Sequence, residues 1–168
     1  MARNIEIKAR VSLLPALRTA VEKLADKGPV EINQDDTFFH CTTGRLKVRA
    51  FPDGTGQLIF YQRANQPGPK ESFYELSHTD MPDALRATLT LAYGQTGRVR
   101  KHRTLFEIGR TRVHLDEVEG LGSFLELEVV LPDGEPVEEG VREAHALMLR
   151  LGVDAEMPID AAHVDLIA

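Results

Sequence analysis

Asn4-Ile5-Glu6-Ile7-Lys8-Ala9-Arg10-Val11 decides how this chain folds. Successive side chains of a strand point to opposite faces, so Ile5, Ile7, Ala9 and Val11 form one face and Asn4, Glu6, Lys8 and Arg10 the other. The same one-sided charge returns in Arg45-Leu46-Lys47-Val48-Arg49, in Lys101-His102-Arg103, and in Arg112-Val113-His114-Leu115-Asp116. Glu126-Leu127-Glu128 adds two more carboxylates on a single face. If these faces converge, they enclose a pocket rich in cations with a minority of carboxylates. Such a pocket suits a polyphosphate and its metal ions.

Charge makes this clustering informative. The 168 residues carry a formal net charge of −6, which disfavours general nucleic-acid binding. A solubilising surface mixes its signs, whereas Arg45, Lys47 and Arg49 put three cations side by side on one face. Two unit charges about 5 Å apart repel by roughly 3 kcal/mol at an effective dielectric near 20, so rows of them on a concave face need a compensating anion.

The length suits one domain over 1–168 with an ordinary core. At 42% hydrophobic residues, with no apolar run of membrane-spanning length, the expectation is a protein with no membrane segment. No signal-peptide pattern is visible near Arg3. The lone Cys41 excludes an internal disulfide and a Cys-rich zinc site, and fits a reducing cytoplasm. The pattern carries no signal for oligomeric state.

Helical spacing of Leu14, Leu17, Val21 and Leu24 after Ser12 predicts a first helix that Gly28-Pro29 ends. Strands follow at about 30–41, 45–51, 57–64 and 71–77. The turn signals Thr43-Gly44 and Pro52-Asp53-Gly54-Thr55-Gly56 join them as hairpins. Asn65 to Lys70 reads as a loop, with Lys70 either an exposed cation or a phosphate contact. A second helix spans about 81–93, with Met81, Leu85 and Leu89 apolar. Strands at about 97–107, 110–117 and 122–131 lead to a third helix over 137–151, and Asp160 to Leu166 is a short helix candidate. The expected class is α+β, an antiparallel eight-stranded β-barrel with helices packed outside, closure removing exposed edges.

These segments, in this order, resemble the CYTH superfamily of triphosphate tunnel metalloenzymes, which includes class IV adenylyl cyclases, thiamine triphosphatases and inorganic triphosphatases. The family's opening Glu-x-Glu-x-Lys stands here as Asn4-Ile5-Glu6-Ile7-Lys8. Further similar blocks are Gln34 to Phe39, Arg45 to Arg49, Lys101 to Arg103, and His114 to Val118 running through Gly120-Leu121-Gly122 to Glu128. The resemblance implies a tunnel binding a triphosphate with Mg²⁺ or Mn²⁺. By position, Lys8, Arg10, Arg45, Lys47, Arg49, Arg63, Lys101, Arg103 and Arg112 would hold phosphate oxygens, the arginine forks suiting phosphate geometry. Glu6, Asp116, Glu126 and Glu128 would hold the hard divalent ions. Asn4 departs from the motif: it keeps an oxygen but removes one negative charge, and should weaken one metal position.

Lys101 is the candidate base, since a lysine among other cations has a lowered pKa. The leading expectation is metal-dependent hydrolysis of a phosphoanhydride in a small-molecule triphosphate. The alternatives are a class IV adenylyl cyclase converting ATP to cyclic AMP and pyrophosphate, and a non-catalytic module that binds polyphosphate or triphosphates. His114 reads as a packing or hydrogen-bonding residue, because no second histidine has metal spacing with it.

Overall fold

A computed structural model describes residues 2–12, 14–63 and 68–153. The elements run β1 (Ala2–Arg10), α1 (Leu14–Leu24), β2 (Lys27–Phe39), β3 (Arg45–Ala50), β4 (Gly56–Arg63), β5 (Lys70–Thr79), α2 (Pro82–Tyr93), β6 (Gln95–Ile108), β7 (Thr111–Val118), β8 (Gly122–Leu131) and α3 (Val137–Arg150). The strands close into an antiparallel barrel in the order β1-β5-β4-β3-β2-β6-β7-β8, with β8 returning to β1. Every strand is thereby paired on both edges.

The inside-out arrangement of this barrel follows from its strand patterns. Ile5, Ile7 and Ala9 of β1 point outward and join Val113, Leu115, Leu125, Leu127 and Val129 in a core covered by α1 and α3. Leu17 and Val21 face it from α1, and Ala144, Leu147 and Met148 from α3. Each of the large side chains contributes roughly 1.5–3 kcal/mol by leaving water. Gly140 lets α3 lie directly on β1, since a Cβ there would sit 2.5 Å from Ile5 Cγ1. The opposite face of the same strands, with the charged residues, is the barrel interior.

A second, smaller apolar cluster closes one end of that interior. Phe38, Val99, Val118 and Phe124 are buried together, with Tyr61 and Leu121 against them. Eight strands leave room for packed side chains or one small ligand, and the plug confines the open space to the middle of the barrel.

Three local differences from the sequence expectation have identifiable causes. α1 stops at Leu24, ahead of Gly28, because the Asp26 amide donates to Glu107 O at 2.8 Å and Asp26 Oδ2 accepts from Gly109 N–H at 2.6 Å. Those bonds draw the chain onto β6, so Gly28-Pro29 falls within the start of β2, next to a register shift between Lys27 and Val30. Lys70 is no loop cation: it opens β5 opposite Glu6 and is 2% exposed. α2 lies on the outside of β2 and β3, where Pro82 meets Gly56 and Arg86 Nε–H donates to Thr37 Oγ1 at 2.9 Å. Of its expected apolar face, Leu85 and Leu89 are half-buried and Met81 is exposed. The helix candidate at Asp160 to Leu166 lies outside the described residues.

Candidate active site in the barrel interior

A cavity of about 330 Å³ occupies the barrel, and seven strands direct charged side chains into it. Lys8, Lys47, Arg49, Arg63, Lys101, Arg103 and Arg112 line it together with Glu6, Asp36, Glu126 and Glu128. Most of them, Arg112 included, are paired with both neighbouring strands, which fixes the backbone; Lys8 pairs with β8 and Arg63 ends β4. Burying so many charges requires that each be paired or hydrogen-bonded, and the pairing divides the cavity into a cation-anchoring side and an acidic side.

Two buried aspartates anchor the cations. Asp36 Oδ1 and Oδ2 accept from Arg49 Nε–H and Nη2–H, both at 2.8 Å, and Oδ2 also accepts from Lys47 Nζ at 3.0 Å. Asp116 accepts in the same bidentate manner from Arg103 at 2.8 Å and 2.8 Å, with Lys101 Nζ at 3.8 Å. Burial alone would raise both carboxyls, but Arg49 and Lys47 hold Asp36, and Arg103 and Lys101 hold Asp116, well below the ordinary range. The lysines respond oppositely. Burial first and the Arg49 charge second push Lys47 down to about 8. Burial and Arg103 push Lys101 well below the usual lysine range, against the pull of Asp116.

The acidic side is built from β1, β7 and β8. Register places Glu6 opposite Glu128, Lys8 opposite Glu126, and His114 opposite Glu126 on the other side. Glu6 Oε1 accepts from Arg63 Nη1–H at 2.6 Å; Glu126 lies 3.3 Å from Lys8 Nζ. His114 Nε2 contacts Glu128 Oε1, while Glu128 Oε2 accepts from Asn4 Nδ2–H at 2.7 Å and from Arg112 Nη2–H at 3.3 Å. Burial and then the neighbouring Glu126 raise Glu6, against Arg63. Despite burial, Lys8 and Arg103 hold Glu126 low, and His114 with Arg112 brings Glu128 to about 2. Glu6 is therefore the first of the three to take up a proton. His114, Glu126 and Glu128 each bring one ligand atom within 4.8 Å of the others, a spacing that could hold a cation.

The interior thus collects Glu6, Lys8, Lys47, Arg49, Arg63, Lys101, Arg103, Arg112, Glu126 and Glu128 around one space. Three of the expected residues, Arg10, Arg45 and Asp116, do not line this cavity. Arg10 is exposed at the plugged end, its guanidinium 4.9 Å over the Phe124 ring and donating to Leu121 O at 2.8 Å. Arg45 lines an adjoining pocket of about 550 Å³ that shares Phe38, Tyr61 and Arg63 with the main cavity. Asp116 has no exposed surface and both its oxygens are taken by Arg103, which makes it an anchor for that guanidinium. Asp36, His114 and Tyr74, whose hydroxyl in the cavity wall accepts from Arg112 Nη2–H at 3.4 Å, were not expected as site residues. The parity of β7 carries a signal for His114, which shares a face with Arg112 and Asp116.

Residues 2–159 match the family model of the CYTH domain. Adenylate cyclase CyaB of Aeromonas hydrophila is 27% identical over 163 residues, covering 90% of this chain and 82% of that protein. The structure of the PH1012 protein from Pyrococcus horikoshii superposes with a TM-score of 0.86 at 24% identity, covering 98% of this chain and 99% of the other. HpAC1 from Hippeastrum, a candidate adenylyl cyclase described as revealing a dominant triphosphatase activity, superposes at 0.70 with 15% identity, covering 99% and 94%. No helix among the described residues is long and apolar enough to cross a membrane. With its family model matched over nearly the whole chain, on a closed eight-stranded barrel with a charged interior, this protein belongs to the CYTH domain family.

Proposed function

We propose that this protein hydrolyses a phosphoanhydride bond of a small-molecule triphosphate held inside the barrel, with a divalent cation as cofactor. The observation that carries this reading is the division of one barrel cavity between anchored guanidinium and ammonium groups and a cluster of carboxylates. Arg49 and Arg103, each locked by an aspartate, present fixed donors to phosphate oxygens, so little reorganisation accompanies charge development at phosphorus. Lys8, Lys47, Arg63 and Arg112 extend the anion-binding surface.

Glu126 and Glu128, both ionised at neutral pH, are the residues that would hold the cation, with Glu6 beside them. Bound there, a divalent ion supplies charge neutralisation on the phosphate oxygens. Lys101 is the proposed base. Held below the ordinary lysine range, its amine accepts a proton from the attacking water, whose oxygen bonds to phosphorus as the bridging P–O bond breaks and the shortened phosphate leaves.

The name of the Aeromonas relative favours a second reading, in which the ribose 3′-hydroxyl of ATP attacks the α-phosphorus and releases pyrophosphate. A third, binding without turnover, draws on Asn4. Incubation with inorganic triphosphate, thiamine triphosphate and ATP, each with Mg²⁺ or Mn²⁺, separates the three. Orthophosphate is the expected product. Cyclic AMP with pyrophosphate would establish the cyclase, and unchanged triphosphates that nonetheless bind would establish the module.

A further inference from the structure

The cation site on the acidic side of the cavity contains a group that a purely oxygen-ligated magnesium site does not need. His114 is 5% exposed and sits on β7 in register with Glu126. Its Nε2 contacts Glu128 Oε1, and neither ring nitrogen has a hydrogen-bond partner. An imidazole kept only as a structural strut normally has both nitrogens satisfied when buried. Here neither is satisfied, and one of them lies within 4.8 Å of the Glu126 and Glu128 oxygens, open to something that the protein itself does not provide.

A second residue points to the same place. Asn4, 1% exposed, donates through Nδ2 to Glu128 Oε2, yet its Oδ1 is buried and has no partner. Asn4, His114, Glu126 and Glu128 all line the one cavity. An unpartnered buried amide oxygen beside two ionised carboxylates is an acceptor awaiting a cation or its water. Two carboxylates and a neutral imidazole balance a divalent charge, and Asn4 adds an oxygen without adding charge.

We propose that His114 is a metal ligand together with Glu126 and Glu128, and that this site takes a borderline transition ion such as Mn²⁺ in preference to Mg²⁺. Ligation by His114 depends on the triphosphate reading only in that the cavity is a cation site. The chemistry lies in the donor set. Imidazole nitrogen favours first-row transition ions over magnesium, and Mg²⁺ favours all-oxygen coordination with retained waters. One nitrogen among the ligands therefore biases the choice even where total charge is the same.

The test needs no turnover. Tag-free full-length protein is loaded with Mn²⁺, with and without inorganic triphosphate, and examined by pulsed electron paramagnetic resonance for ¹⁴N coupling to the metal. Wild type should show the coupling, and His114→Gln should lose it while its circular dichroism spectrum is unchanged. Calorimetric titration should show Mn²⁺ affinity falling by about tenfold in the variant, with Mg²⁺ affinity changing much less. Absence of ¹⁴N coupling in wild type with Mn²⁺ bound, or no Mn²⁺ binding in either condition, overturns the proposal. So does an equal loss of both metals in the variant. If His114→Gln fails to fold, the wild-type spectrum alone decides. A protein that shows the coupling but cleaves no triphosphate would keep this proposal and remove the functional reading.

Discussion

Asp36 and Arg49 meet across the β2–β3 ladder in a two-pronged ion pair, both hydrogen bonds 2.8 Å long, with Asp36 1% exposed. Lys47 shares the same carboxylate. Removing the aspartate would leave two mostly buried cations without an anion, and breaking a buried pair in this way costs about 3–5 kcal/mol. Asp36→Ala should lower the unfolding free energy by roughly that amount in a urea titration, and inorganic triphosphate should restore part of it by supplying the missing anion. Loss of under 1 kcal/mol would mean that Arg49 is stabilised by other groups.

Acid should unfold the protein progressively. Asp36, Asp116, Glu126 and Glu128 all have folded-state pKa values below their ordinary ones, burial being overcome by their cationic neighbours. Such groups bind fewer protons when folded than when unfolded, so their contribution is present above the unfolded values near 4 and is lost as pH falls below them. Glu6, raised by burial and Glu126, works in the opposite direction and offsets only part of this. Urea titrations of the metal-free protein should show stability falling steadily between about pH 5 and about pH 2. A flat profile there would contradict the ionised interior.

Strand parity made most of this interior legible from the sequence, because outward apolar residues on β1, β7 and β8 are covered by α1 and α3 and leave one possible assignment of faces. On β2 that logic weakens. Its first half meets α1 through a half-exposed ion pair of Glu31 with Arg18, Val30 is exposed and Ile32 lines the cavity. Alternation therefore could not tell Asp35, which pairs outside with Arg98 at 2.7 Å, from Asp36, which points inward. Alternation also reports a face and not a height along the barrel. Arg10 and Arg45 have the right parity but lie at the end that Phe38 and Phe124 close. Lys70, flanked by Gly68-Pro69, reads locally as loop, and only pairing with β1 places it in a strand.

The position of Arg10 gives a control. Arg10→Ala removes one hydrogen bond to Leu121 O and a cation–π contact, together about 1–2 kcal/mol of stability. Its KM for a triphosphate should change by less than about threefold. Arg49→Ala, which removes a guanidinium lining the cavity, should raise KM at least about tenfold. Equal effects in the two variants would mean that phosphate binds outside the described cavity.

Asn4→Glu should strengthen metal binding. The substitution replaces the amide that donates to Glu128 Oε2 at 2.7 Å with a carboxylate. In the metal-free protein, the new charge repels Glu6 and Glu128 and lowers the melting temperature. A divalent ion should reverse that loss, and calorimetry should show tighter Mn²⁺ binding than in wild type. Binding no tighter than wild type would mean that Asn4 is no weakened ligand and that the other carboxylates already complete the shell.

In the proposed function water, rather than a ribose hydroxyl, attacks phosphorus inside this barrel. The most direct measurement is reaction of ATP and of inorganic triphosphate in H₂¹⁸O with Mn²⁺, followed by mass analysis of the products. Hydrolysis predicts one ¹⁸O in a phosphate product from each substrate, with the labelled product lost in Glu128→Gln. Cyclic AMP and pyrophosphate without ¹⁸O, or label that persists undiminished in Glu128→Gln, would contradict metal-assisted attack of water at this site.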